Sequence, residues 1–421
     1  MRFRDFHSNI KIRIIESLIS GSIGGMIYPF MAIYLADRVG ETLTGILLIV
    51  NIFVGFIVGF YGGYYADLMG RKKIMAYAES LRFGGILVMA LANSPLVTSD
   101  TFAAYITIGM MMVNSICWGL AGPASQAMLI DVSTPENRKF MYGITYWTSN
   151  LSIAIGGLLG GFLFKNYLFE LLLGLTATSL LSAVLVVFFI KETYIPVQIE
   201  YKIKPNVVKE MFSNYKQVFK DSVFIKFTFG YLLILSLEFH LTNYISVKLS
   251  KDMPTQDLLQ FHIDGVQMLG ILRTENTVLV VLLAVFISRI INRFKDKNVL
   301  YIGLITYSIG YLVISYSNSV WLLLSVMIIA TIGELMYVPV KQAYMAEIPP
   351  EDSRSAYMAV SGMIFNGAMV IAALSITLGH YISPLGMTAL FTICAVTGFF
   401  LFKSTVPELD KNREQMKRAT A

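Results

Sequence analysis

Long apolar runs alternate with short polar turns along almost the whole chain. A helix that crosses a bilayer needs roughly 20 mostly apolar residues. Twelve runs come close to that length, at 12–36, 43–66, 74–93, 102–128, 140–164, 168–190, 223–249, 276–292, 299–317, 320–346, 356–380 and 384–403. They predict an all-α integral membrane protein with twelve transmembrane helices. One long stretch, 191–222, breaks the pattern, being polar, Lys-rich and interrupted by Pro196 and Pro205. It reads as a cytoplasmic linker with a surface helix around Val207–Lys220. It divides a six-helix bundle over 1–190 from a second over 223–405, with a cytoplasmic tail at 406–421. Between the seventh and eighth runs, Ser250–Thr277 is also polar. It predicts an outer segment, either a short amphipathic piece or a disordered loop.

Charge then orients the helices. Lys and Arg collect at the N-terminus, at 71–73, at Arg138 and Lys139, in 191–220, in 289–297, at Lys341 and Arg354, and after Lys403. The intervening loops are poor in them: Ala92–Thr101 and Tyr316–Val320 have none, and Ala36–Thr42 has only Arg38. Basic loops stay on the cytoplasmic side. The alternation therefore places both termini in the cytoplasm of a multi-pass protein of the cell membrane. Lys251 and Arg273, in the outer segment, are mild exceptions.

Composition removes the competing classes. Of 421 residues, 56% are hydrophobic and 14% charged, and mean hydropathy is +0.65. Soluble domains carry about a quarter charged residues. A net charge of +6 would suggest nucleic acid in a soluble protein. Here the basic residues sit between apolar runs and report orientation, so no nucleic-acid partner is expected. Cys117 and Cys394 lie inside apolar runs and read as packing residues. Four histidines and two buried cysteines offer no metal-ligand or nucleophile set, so neither a metal site nor an enzyme is expected. No Gly-x-x-x-x-Gly-Lys-Ser/Thr loop is present, which argues against a built-in ATPase.

The halves repeat. Pro123-Ala-Ser-Gln126-Ala127-Met-Leu-Ile-Asp131 matches Pro339-Val-Lys-Gln342-Ala343-Tyr-Met-Ala-Glu347, and Pro135-Glu136-Asn-Arg138 matches Pro350-Glu351-Asp-Ser-Arg354. Two parallel halves related about the membrane normal are one architecture of secondary transporters. The loop after the second run adds Gly63, Asp67, Gly70 and Arg71-Lys72-Lys73. Gly63 allows close backbone approach, Gly70 a sharp turn, and the cations mark the inner side.

On these residues the chain resembles the major facilitator superfamily over essentially its whole length. Within it, the chain is most similar to the twelve-helix drug:proton antiporters, in the branch of the lactococcal multidrug transporters. The matching stretches are Leu43-Thr44-Gly45-Ile46-Leu47-Leu48, the Asp67 loop, Ile130-Asp131 through Lys139, Tyr146-Trp147 with Asn150-Leu151-Ser152, and Gly333-Glu334 through Tyr337. The resemblance implies a monomeric, polyspecific exporter of lipophilic, often cationic compounds. It would work by alternating access and be driven by the proton gradient, with no cofactor. It also implies that Gly63, Asp67, Gly70 and Arg71 form an inner gate. Asp131 with Arg138 is a further gate pair, with Glu347 and Arg354 as its repeat mates. A narrow-substrate exporter or importer of a metabolite or glycolipid is the alternative within transporters. A non-transporting receptor or assembly protein is the alternative outside them.

Ionisable residues inside spanning helices usually face a cavity and mark a pathway. Glu334 is the first candidate for proton coupling and cation binding. The plain alternative is a protonated acid hydrogen-bonded to a neighbouring helix. Glu238 and His240 follow, in a helix that continues through Asn243 and Tyr244. Two residues apart, they lie about 200° apart around the helix, so one common site is not expected. A satisfied or interfacial histidine is the plainer reading of His240. Glu79 and Arg82, and likewise Arg13 and Glu16, have the spacing to pair across one turn. Bundle support competes with proton movement for the first pair and leads for the second. Tyr146, Trp147, Asn150 and Tyr337, with Trp118, Phe239 and Tyr244, are candidate walls for lipophilic cations. Gly156, Gly157, Gly160 and Gly161 predict close helix packing.

Three positions depart from the family pattern. Ser115 stands where an arginine precedes Gly119, Thr145 where relatives carry an acid, and Gly157 where the fifth-helix motif prefers proline.

Overall fold

The computed structural model describes residues 3–193, 218–291, 293–348 and 354–420. The linker around Val207 lies mostly outside them. The side chains at Gly63, Asp67, Arg138, Glu347 and Arg354 lie outside the described set as well, as does the gate geometry expected of them.

The first crossing is broken by Pro29. Helix α1 (Ser8–Ile27) passes through a 3-10 turn at Tyr28–Phe30 into α2 (Met31–Val39). Helices α3 (Glu41–Met69) and α4 (Arg71–Ala92) meet at Gly70, whose φ of +96° no other residue type adopts without strain. Next come α5 (Asp100–Asp131), α6 (Pro135–Leu163) and α7 (Leu168–Val184). The seventh crossing is α8 (Ser222–Leu241) continued by α9 (Tyr244–Asp252). Helices α10 (Gly265–Ile291), α11 (Asp296–Tyr316), α12 (Val320–Glu347), α13 (Arg354–Tyr381) and α14 (Pro384–Thr420) complete the chain.

Among the described residues, eleven helical segments are long and apolar enough to cross a membrane. The remaining crossing, α6, has 29 residues. Its middle carries Thr145, Thr148, Ser149 and Asn150, which dilute its hydropathy. The protein is thus an all-α, multi-pass membrane protein. The side chains it leaves bare agree: Phe188, Leu282 and Phe286 are each more than 60% exposed within the protein, and lipid is the solvent that tolerates such a surface.

The outer segment differs from both expectations for it. Strands β1 (Gln256–Leu258) and β2 (Phe261–Ile263) form a small hairpin with Leu259 at φ +59°. Helix α10 begins at Gly265, eleven residues before the apolar run that predicted it. Arg273 and Glu275 trim that run in the sequence, yet both lie inside the helix.

The repeat reappears in three dimensions. Pro123 sits inside α5 and Pro339 inside α12. The helices end at the matched acids, Asp131 and Glu347.

Two compact units contain the described residues. Unit 1 comprises Met1–Gln198, Ser246–Thr255 and Ile263–Thr277, and unit 2 comprises Ile199–Ile245, Gln256–His262 and Val278–Ala421. In unit 1, α5 packs on α3 and α4, α1 on α6, and α4 on α7. Glycines set these distances. A Cβ at Gly62 would meet the Gly119 carbonyl at 2.2 Å, and one at Gly156 would meet Gly25 Cα at 2.6 Å. Gly62 thus makes a close backbone approach at the α3 crossing. In unit 2, α11 packs on α12 while α8 packs on α13 and α14. There Gly333 brings α12 against the Tyr307 backbone of α11.

Candidate functional site

Glu238 on α8 and Glu334 on α12 are the half-buried acids of unit 2 that matter most. The sequence nominated them separately; the fold places both near the same three tyrosines. Tyr231, Tyr307 and Tyr337 each lie within electrostatic reach of both carboxylates. Tyr337 and Tyr307 are fully buried, with ring centroids 5.0 Å apart. Tyr337 is thus a core residue near the acids. Lys341, 6% exposed, sets its ammonium 3.6 Å from the centre of the Tyr231 ring. The sequence treated Lys341 as an inner-loop charge, because it lies near the end of an apolar run. In the fold it is a buried cation against Tyr231.

His240 does not join them. It is 1% exposed, stacks on Phe391 at 3.9 Å and shares a hydrogen bond with Ser375 Oγ at 3.0 Å. It thus holds α8 to α13 and α14, as the 200° offset predicts. Asn243 donates to the Phe239 carbonyl of its own helix at 2.8 Å, and Tyr244 packs edge-on against Phe391.

Unit 1 holds a cavity of about 530 Å³. Arg13, Glu16, Glu79, Arg82, Tyr28, Trp118 and Gln126 are among its lining residues. Arg13 bridges Glu16 at 3.0 Å and Glu79 at 4.0 Å, while Arg82 binds Glu79 at 3.1 Å. The sequence saw two separate pairs; the reach of Arg13 on α1 to Glu79 on α4 makes one quartet. Trp118 is 58% exposed, with the Arg82 guanidinium 5.5 Å from its ring centre. Tyr146 and Trp147 on α6 are 62% and 55% exposed. Asn150 donates to the Tyr146 carbonyl at 2.9 Å.

At the end of unit 1 where α3 meets α4, Arg71 forms an ion pair with Asp131. Thr193 donates to the same carboxylate at 3.3 Å. The Lys72 amide donates to Glu192 at 2.9 Å. The Arg71 partner at Asp131 was not foreseen, since only the meeting of α4 and α5 brings these positions together.

The glycines of α6 serve two faces. Gly156 and Gly160 take α1, where a Cβ on Gly160 would come within 2.7 Å of Met26 Cα. Gly157 and Gly161 take the first half of α10, where a Cβ on Gly270 would meet the Gly157 carbonyl at 2.4 Å. Thr274 donates to the Ala154 carbonyl at 3.0 Å in the same contact.

Paired helical units with acids inside spanning segments define a membrane transporter of the secondary class. The chain belongs to the Major Facilitator Superfamily, whose description matches residues 17–272 and 253–420. Members of this family are transporters of small substrates, not enzymes. A Na(+), Li(+), K(+)/H(+) antiporter of Planococcus maritimus is 30% identical over 389 residues, covering 89% of this chain and 90% of the relative. Multidrug resistance protein MdtH of Klebsiella pneumoniae is 23% identical over 352 residues, covering 82% of this chain and 80% of that protein. The crystal structure of the peptide transporter POT in complex with sulfate aligns with a TM-score of 0.73. It covers 97% of this chain and 96% of its own at 15% identity, a likeness of fold.

Proposed function

We propose that this protein is a proton-coupled antiporter exporting lipophilic cations across the cell membrane by alternating access. It works as a monomer with both termini in the cytoplasm, and draws on the proton gradient with no cofactor. The convergence of Glu238 and Glu334 on the same three tyrosines carries the reading. A carboxylate inside a spanning segment costs at least a few kcal/mol unless something neutralises it. A proton and a cation compete for that role, and mutual exclusion at one carboxylate is the elementary step of antiport. Exposed aromatic faces such as Trp118, Tyr146 and Trp147 suit flat, lipophilic cations. The multidrug relative supports this substrate class. Arg71 with Asp131, together with Gly63, Asp67, Gly70 and Arg138, is proposed as the inner gate.

A second reading has Na+, K+ or Li+ as the exported ion. The antiporter relative at 30% identity favours it, and the same two carboxylates would serve.

Purified protein in liposomes with an imposed pH gradient tests both. Wild type should move ethidium, and Glu334→Gln should lose at least ten-fold of that flux. Movement of Na+ or K+ with none of ethidium selects the second reading. Flux that survives both Glu334→Gln and Glu238→Gln removes the proposed site.

A further inference from the structure

The quartet in the unit 1 cavity is more than a tie between helices. Two guanidiniums and two carboxylates lie within the spanning parts of α1 and α4. Glu16, Glu79 and Arg82 are each 6% exposed or less. Ion pairs buried in this way are poor stabilisers, because desolvation consumes the Coulombic gain. The set is also short of acceptors: Arg82 Nε is buried with no hydrogen-bond partner among the described residues.

Arg13 stands between the acids, at 3.0 Å from Glu16 and 4.0 Å from Glu79. Glu16 has a second partner of another kind. The fully buried Ser182 on α7 donates its hydroxyl to Glu16 Oε1 at 2.5 Å. A hydroxyl can accept as readily as it donates. Glu16 therefore keeps a hydrogen bond whether it is ionised or protonated, whereas among the described residues Glu79 is held by the cations Arg13 and Arg82.

We propose that unit 1 carries its own proton-exchange site, in which Glu16 takes a proton and hands Arg13 to Glu79. In the ionised arrangement the quartet is neutral, with Arg13 on Glu16 and Arg82 on Glu79. A proton from water in the cavity adds to the Glu16 carboxylate, and the new O–H turns to Ser182 Oγ. Arg13 closes on Glu79, which then holds both guanidiniums, and the quartet has a charge of +1. Loss of the proton to water reverses each step. The groups facing Glu16 are all named in this account or neutral: Arg13 and Tyr28 from the first crossing, Glu79 and Arg82 from α4, Cys117 and Trp118 from α5, Thr145 and Ser149 from α6, and Ser182 from α7.

This inference rests on the proton-coupled reading and adds a proton to it, beyond the one exchanged at Glu334. Two measurements on reconstituted protein separate the claims. The first is infrared difference spectroscopy between acid and alkaline buffer, in the carboxylic C=O region. A band should appear in wild type, vanish in Glu16→Gln, change frequency in Ser182→Ala, and persist in Glu334→Gln. The second is the pH gradient at which cation flux reverses. It should report one proton fewer per cation in Glu16→Gln, with gradient-free cation counterflow preserved as the sign of a folded transporter. An unchanged ratio and an unchanged band in a Glu16→Gln protein with intact counterflow would overturn the site. Should that variant fail to fold, an unshifted band in Ser182→Ala overturns it instead. A wild type with the Glu16 band but no gradient-driven cation flux would refute cation antiport and leave the proton site standing.

Discussion

Gly70 is the clearest case of one residue whose identity is set by the backbone. Its φ is +96°, and a Cβ would also press on the Glu192 carboxylate at 2.8 Å. An L-residue in left-handed backbone costs roughly 1–2 kcal/mol. Gly70→Ala should therefore lower the thermal unfolding temperature in detergent. Its neighbour Arg71 should behave in the opposite way. The Asp131 side chain is 28% exposed, and such pairs contribute only about 0–1 kcal/mol. Arg71→Ala should hardly move unfolding, yet slow transport several-fold if the pair gates the inner side. Arg71→Lys should recover much of the rate. Equal rates in wild type and Arg71→Ala would remove the gate. The motif and the sharp turn were both legible from Gly70-Arg71. The choice of Asp131 as partner was not, because no local pattern links α4 to the end of α5.

At the scale of elements, α6 makes the sharpest forecast. A Cβ at Gly160 has no room, with Phe30 at 2.6 Å and the Met26 backbone at 2.7 Å. At Gly143, in the same helix, nothing lies within 4 Å. Gly to Ala in an open helical position gains roughly 0.5–1 kcal/mol. Gly143→Ala should thus raise the unfolding temperature, and Gly160→Ala should lower it. Similar shifts for both would mean that α1 and α6 are not in contact there. The four glycines were readable as packing residues. Their division between α1 and α10 was not, since that depends on where the polar start of α10 lies. The same blind spot hid Arg273 and Glu275. Charged residues mark the end of an apolar run in sequence, whereas a helix continues for as long as its backbone bonds are made and its neighbours cover it.

For the whole molecule, the alternation of basic loops makes a topological forecast. A reporter active only outside the cytoplasm should work when fused after Ser317 and fail when fused after Lys295. The reverse pattern would invert every assignment of inner and outer ends. Twelve crossings also require both termini to react on the same side with an impermeant label. Helix α14 runs on to Thr420, so the tail read as 406–421 is helical well past the apolar run that begins it.

Hydrophobic length, loop charge and the Pro123/Pro339 repeat are one-dimensional properties. They determined the membrane class and the helical crossings, because a bilayer reads each helix almost independently. The identity of the interacting charges is a three-dimensional property. Arg71 with Asp131 and Arg13 with Glu79 join positions on different helices, Glu238 and Glu334 share tyrosine neighbours, and no spacing rule along one helix reaches across such a gap. His240, two residues from Glu238, was separated from it by helical geometry alone. What the tertiary structure decided is which buried charges share a partner, and in a low-dielectric interior that sharing governs which of them can exchange a proton.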